Sequence, residues 1–149
     1  MSVSYDIFIS AFLSKIKEYD FIETDSAQLT EETNGFLKSA LADFKVCRYD
    51  FLSGTDDVIR EFDVDIRDAM ELGRIVDIVS DGMVLRWMKP YVFNQDNFEN
   101  SLNTRSFSEH SPAELARQLS NIYNTAQKAY TNKKRDYSYD YGDLTDLHL

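Results

Sequence analysis

The sequence predicts an all-α fold: a helical bundle of about four to five helices, with a long C-terminal helix and an extended C-terminal arm. Three observations carry this expectation. Chain-breakers are scarce, with 5 Gly and 2 Pro in 149 residues, which favours long uninterrupted elements. Apolar side chains recur at steps of three and four through much of the chain. A sharp helix start, Ser111-Pro112-Ala113-Glu114, precedes a long run of that kind. The 43% hydrophobic content, with 10 Phe, 9 Tyr and 1 Trp, is enough to build a core, and the length suits one domain.

The first helix is expected over residues 4–19. Tyr5, Phe8, Phe12, Ile16 and Tyr19 form its apolar stripe, and the Ser4 hydroxyl can cap its first free N–H groups. The second is expected from about Ala27 to Phe44, with Leu29, Phe36, Leu37, Ala40, Leu41 and Phe44 buried; Gly35 weakens it locally. An acidic stretch over 50–71 follows, in which Asp56 is a candidate helix N-cap.

The segment GRIVDIVSDGMVLRWMKPYV carries apolar residues on more than one side. Its β-branched start, residues 74–79, also fits a strand, but Met83, Val84, Trp87 and Met88 continue a helical step. A central helix of about Asp65 to Met88 is therefore expected, ended by Pro90. Residues 91–111 are rich in Asn and Ser and read as a structured connection.

Ser111 to Glu114 is a capping box with proline at the first helical position. The helix it starts is expected to reach Asp136, with Leu115, Leu119, Ile122, Ala126 and Ala129 on one stripe and Tyr123, Tyr130 and Tyr137 beside it. Beyond it, Tyr137, Tyr139 and Tyr141 alternate with Ser138 and Asp140, a period of two that suggests extended chain. The expected organisation is thus a helical domain over 1–136 and an arm over 137–149. Tyr137, Tyr139, Tyr141, Leu144, Leu147 and Leu149 are its candidate partner-binding residues, because so much apolar surface is unfavourable in water; a frayed end is the alternative.

The net charge of −10 comes from 26 acids and 16 bases. It is segregated. Residues 1–72 hold 16 acids and 7 bases, whereas 115–135 hold five bases and no acid. The acid excess argues against binding nucleic acid over the whole surface. The split suggests complementary faces, within the chain or between copies. Lys128, Lys133, Lys134 and Arg135 are the candidate basic contacts, and Asp56, Asp57 and Glu61 the acidic ones.

No catalytic role, cofactor or metal is expected. A phosphate loop, a nucleophile elbow and a histidine–carboxylate pairing are all missing. His110 and His148 are far apart, and Asp63-Val64-Asp65 lacks the closing glutamate of a calcium loop. Cys47, the single cysteine, reads as a small core residue rather than a nucleophile. No apolar run approaches a membrane span, and no leader pattern opens the chain.

The segment MVLRWMKPYVFNQDNFENSLNTRSFSEHSPAEL, the long helix after it and the ending DYSYDYGDLTDLHL resemble the head–tail connector (adaptor) proteins of long-tailed phages of Gram-positive hosts. The likeness covers Gly82 to Leu149, just under half of the chain; residues 63–74 are more charged than the family leads one to expect. The resemblance implies a virion neck protein, assembled in the host cytoplasm as a ring of about twelve copies beneath the portal. Its partners would be copies of itself, the portal protein and a neighbouring neck or tail protein, with DNA passing through the channel without specific binding and no membrane involved. An acidic DNA-mimic inhibitor of a DNA-binding enzyme is the main alternative, and a stopper or terminator subunit of the neck is another.

Overall fold

The computed structural model describes residues 2–19, 26–93 and 112–141. Among these the chain is mostly helical, with four α-helices and a small three-stranded sheet. The order is β1 (Val3–Ser4), α1 (Tyr5–Ile16), α2 (Ser26–Asp43), a 3-10 turn (Leu52–Gly54), β2 (Thr55–Asp56), β3 (Glu61–Phe62), α3 (Ala69–Phe93) and α4 (Pro112–Tyr141).

α1 begins where a cap is available: Ser4 Oγ accepts from the Asp6 N–H at 3.2 Å. Tyr5, Phe8 and Phe12 are fully buried from its inner face. α2 passes through Gly35 without a break. A Cβ at Gly35 would meet nothing within 4 Å, so only helix propensity acts there. Gly35→Ala is expected to stabilise the protein by about 0.5–1 kcal/mol, read as a higher urea midpoint with an unchanged slope.

α3 is the central element and packs against α1, α2 and α4. Ile75, Ile78, Val79, Met83, Val84, Leu85, Trp87 and Met88 are all buried, which is why its apolar residues occupy more than one side. Two of its expected boundaries move. The helix begins at Ala69, where Asp68 Oδ1 accepts from the Met70 N–H at 3.0 Å, rather than near Asp65. It also continues through Pro90 to Phe93. Proline this close to the end forfeits a single helical bond, the one an N–H at residue 90 would make to the Arg86 carbonyl, and the helix closes one more turn beyond it.

Nothing in the sequence pattern announces the sheet. Its order is β1-β3-β2, both pairings antiparallel, with Val3 opposite Phe62 and Thr55 also opposite Phe62. Asp56 opens a hairpin turn rather than a helix: its Oδ1 accepts from the N–H groups of Val58 and Ile59 at 3.0 and 3.3 Å. Two-residue strands are too short to show a period, and an Asx turn and a helix N-cap use the same side-chain bond. Phe62 anchors the hairpin in an aromatic cluster, with ring centres 4.4 Å from Tyr5, 5.3 Å from Phe51 and 5.8 Å from Phe8.

α4 spans 30 residues, about 45 Å at about 1.5 Å per residue. It runs antiparallel to α3, since the Tyr123 and Phe93 rings meet edge to face while Tyr137 reaches Glu71. Its inner stripe is Leu115, Leu119, Tyr123, Tyr130 and Tyr137; Ala129 faces solvent. The tyrosines thus form the packing face itself.

The arm does not begin at residue 137, because the helix continues through Tyr141. Tyr137 is completely buried, with Phe44 and Tyr141 rings each 5.1 Å away. Tyr137 and Tyr141 fit a period of two, but they are equally four apart on one helical face. Contact with α3 decides in favour of the helix, and Tyr139 on the other side is exposed. Ser111 and residues 142–149, including Leu144, Leu147 and Leu149, lie outside the described residues.

Candidate assembly surface

Among the described residues, polar clusters join α4 to the rest of the chain at three places. The first lies where α3 begins. Glu71 is completely buried, and Arg48 holds its carboxylate with two parallel N–H donors, Nε to Oε1 at 2.6 Å and Nη2 to Oε2. Tyr137 donates to Oε1 at 2.9 Å, and Tyr49 to Oε2 at 3.4 Å. Arg74 pairs with Asp140 at 2.6 Å, and the Arg48 and Arg74 guanidiniums lie 5.5 and 5.2 Å from the Tyr141 ring centre. A buried carboxylate needs such partners, since leaving it unpaired costs several kcal/mol, about 3–5.

The second cluster spans three helices. Lys15 of α1 meets Asp77 and Asp81 of α3, each at 2.7 Å, and Lys133 of α4 meets the same two at 2.8 and 2.7 Å. The third gathers on Asp43 at the end of α2. It accepts from Tyr130 at 2.8 Å and Lys134 at 2.9 Å, with Arg86 at 3.9 Å.

Burial alone would raise the pKa of Glu71, of Asp43 and of Asp77. Hydrogen bonds outweigh it in each case, from Arg48 and Tyr137, from Lys134 and Tyr130, and from Lys133 and Lys15, so all three lie below their ordinary values. A depressed carboxyl pKa contributes stability above the unfolded value, and that stability is lost as pH falls through the folded one. Unfolded carboxyls titrate near about pH 4. Melting temperature is therefore expected to fall steeply below about pH 4; an acid limb no steeper than that of a variant carrying Glu71→Gln and Asp43→Asn would contradict the assignment.

The residues expected at an intersubunit contact divide into two groups. Lys133, Lys134 and Asp57 are engaged within the chain, Asp57 with Lys38 at 2.8 Å and the Tyr5 hydroxyl at 2.7 Å. Lys133 and Lys134 are thus used first to dock α4. Lys128, Arg135 and Asp56 face solvent, Arg135 bonding Asn132 at 2.9 Å, and half-buried Glu61 accepts from Ser2 at 2.8 Å. Reversing Lys133 and Lys134 is expected to destabilise the monomer, so a surface test belongs at Lys128 and Arg135.

Sequence reasoning missed Glu71, Arg48, Asp43, Asp77 and Asp81. Their spacing carries no motif, and the side chains that pair with them in these clusters lie 22 residues away or more. Cys47 lies beside the first cluster, its Sγ 3.9 Å from the Tyr137 hydroxyl. Burial pushes its thiol up, the reverse of what a nucleophile needs. Among the described residues no cluster of His, Cys, Asp and Glu could hold a metal ion, and no helix is long and apolar enough to cross a membrane. Comparison with family models, curated proteins and solved structures gives no match.

Proposed function

We propose that this chain is a structural subunit of a phage neck, a head–tail connector that joins copies of itself in a ring below the portal. The observation that carries the reading is the cross-bracing of α4: its Lys133 shares Asp77 and Asp81 of α3 with Lys15 of α1, its Lys134 and Tyr130 meet Asp43 of α2, and its Tyr137 meets the buried Glu71 of α3. A ring subunit must hold its interfaces at one fixed angle, or small errors repeated around the axis prevent closure. Bracing of this kind meets that need and uses no chemistry. The likeness of Gly82–Leu149 to connector proteins supports the same role.

The DNA-mimic alternative needs carboxylates set out in water like a phosphate row. Asp43, Asp77 and Asp81 are instead held by cations of α1, α3 and α4, which favours the connector. Co-sedimentation separates the two. A connector is expected to pellet with portal rings of a long-tailed phage, with no effect of added duplex DNA. A chain that ignores portal rings and binds a nuclease or restriction enzyme in competition with DNA would overturn the reading.

A further inference from the structure

Three cations of α4 take no part in docking it. Arg117, Lys128 and Arg135 are exposed. Among the described residues none of them meets a carboxylate. The ion pairs of α4 run through Lys133, Lys134 and Asp140, and Arg135 bonds the Asn132 amide. Arg117 and Arg135 are eighteen residues apart, five full turns at about 3.6 residues per turn, and Lys128 falls close to the same line. That line runs about 27 Å at about 1.5 Å per residue. It lies opposite the buried Leu119, Tyr130 and Tyr137 and so faces away from α3. Exposed Asn121, Asn124 and Thr131 fill it between the cations, and no acid stands from residue 115 to 135. A shallow recess of about 480 Å³ on this face is lined by Asn124, Gln127, Lys128, Thr131 and Asn132. Amide and hydroxyl donors around one fixed positive charge suit a carboxylate.

The complementary patch lies on the β2–β3 hairpin. Asp56 stands directly opposite Glu61 in the ladder, an arrangement of like charges that destabilises a strand pair. Asp63 follows on the same side, because Glu61 and Asp63 flank the inward-facing Phe62. Among the described residues no cation neutralises these three. Ser2 donates to Glu61, and the Val58 and Ile59 N–H groups donate to Asp56, while Arg60 pairs with Asp6 instead. Asp57 anchors the hairpin to Tyr5 of α1 and Lys38 of α2. Among the described residues the patch makes no ion pair with α4 of its own chain. Internal pairing thus leaves one basic face and one acidic face over.

Nucleic acid is the weaker candidate for the α4 face. The chain carries −10 overall. Three cations along about 27 Å do not offset its repulsion of a duplex with one charge per about 1.7 Å. A second copy brings a small, local group of carboxylates instead. We infer that the outer face of α4, through Arg117, Lys128 and Arg135, docks the Asp56, Glu61 and Asp63 face of the hairpin of a second copy. Two different patches of one chain make a head-to-tail contact, which generates a ring when its rotation closes. The closure into a ring rests on the connector reading; the contact between two copies does not.

The test uses the full chain alone, at about 0.1 M salt. There the Debye length of about 10 Å screens the mutual repulsion of two acidic chains but not patches in contact. Sedimentation is expected to show a mass that rises with concentration and falls as salt is raised further. Arg117→Gln/Lys128→Gln/Arg135→Gln is expected to weaken association about tenfold or more. All three positions are exposed, so that variant should melt within about a degree of the parent. Charge exchange gives the sharper readout. Arg117→Glu/Lys128→Glu/Arg135→Glu chains and Glu61→Lys/Asp63→Lys chains are each expected to stay monomeric alone. They are expected to associate when mixed, since only the mixture pairs opposite charges. Carbodiimide coupling of isotope-labelled with unlabelled parent chains is expected to join Lys128 of one chain to Glu61 or Asp63 of the other. A parent chain that stays monomeric to about 1 mM would overturn the inference. So would a mixture of the two variants no more associated than its components. Duplex DNA bound with a log–log salt slope of about −3, and released by the glutamine variant, would assign the face to nucleic acid instead. Head-to-tail pairing by a chain that ignores portal rings would overturn the connector reading and leave this contact standing. Normal attachment of the glutamine variant to the portal as a closed ring would do the reverse.

Discussion

Replacing Tyr137 by Ala is expected to destabilise the protein by about 3–5 kcal/mol, the range for removing a buried aromatic ring. The ring fills a completely enclosed site against Phe44 and Tyr141. Its hydroxyl donates to the buried Glu71 carboxylate. Against a total stability of about 5–15 kcal/mol, such a loss leaves a marginal fold. Tyr137→Phe separates the two contributions. It keeps the ring and removes one donor, so a loss of about 1–2 kcal/mol is expected. Urea unfolding followed by helical circular dichroism checks both variants. If residue 137 opened a solvated arm instead, both would unfold at the midpoint of the parent.

The second large effect lies where α4 crosses α3. A Cβ on Gly82 would come within 2.9 Å of the Tyr130 hydroxyl oxygen and 3.1 Å of both Tyr130 Cζ and Ala40 Cβ. Tyr130 cannot easily yield, because it is buried, donates to Asp43 at 2.8 Å and carries the Lys134 ammonium 4.2 Å from its ring centre. Helix propensity alone would favour alanine by about 0.5–1 kcal/mol. The overlap outweighs it, and Gly82→Ala is expected to cost about 1–3 kcal/mol net, with Gly82→Val worse. Removing the hydroxyl by Tyr130→Phe should recover part of that loss, a coupling readable in a double-mutant cycle. Gly35→Ala, the same change in a helix with open space around it, should have the opposite sign.

These two sites mark the limit of what the sequence discloses. The apolar faces of α1, α2 and α3 are legible because their residues recur at the helical step and meet one another. Gly82 and Gly35 look alike in sequence; what separates them is Tyr130, far downstream of Gly82 and packed against it. Tyr137 reads as extended because a period of two and a spacing of four share their first and third members. The β-hairpin is illegible for a different reason: two-residue strands leave no pattern, and Asp56 signals a turn and a helix start with the same bond. The charge split is visible as composition, but its partners are not. Lys133 and Lys134 close on aspartates of α2 and α3 through long-range packing.

That intramolecular use sharpens the functional reading. Lys133 and Lys134 hold the late helix to Asp43, Asp77 and Asp81 within one subunit, and contacts between subunits fall to what remains exposed. Truncation must also begin after Tyr141, because deleting residues 137–149 would remove a core side chain along with the tail.

Electron microscopy of the full chain mixed with portal rings of a long-tailed phage tests the central claim most directly. A connector predicts an added ring of density on the face of the portal that receives the tail, with the symmetry expected of repeated subunits. Portal rings unchanged in outline at saturating protein would contradict it.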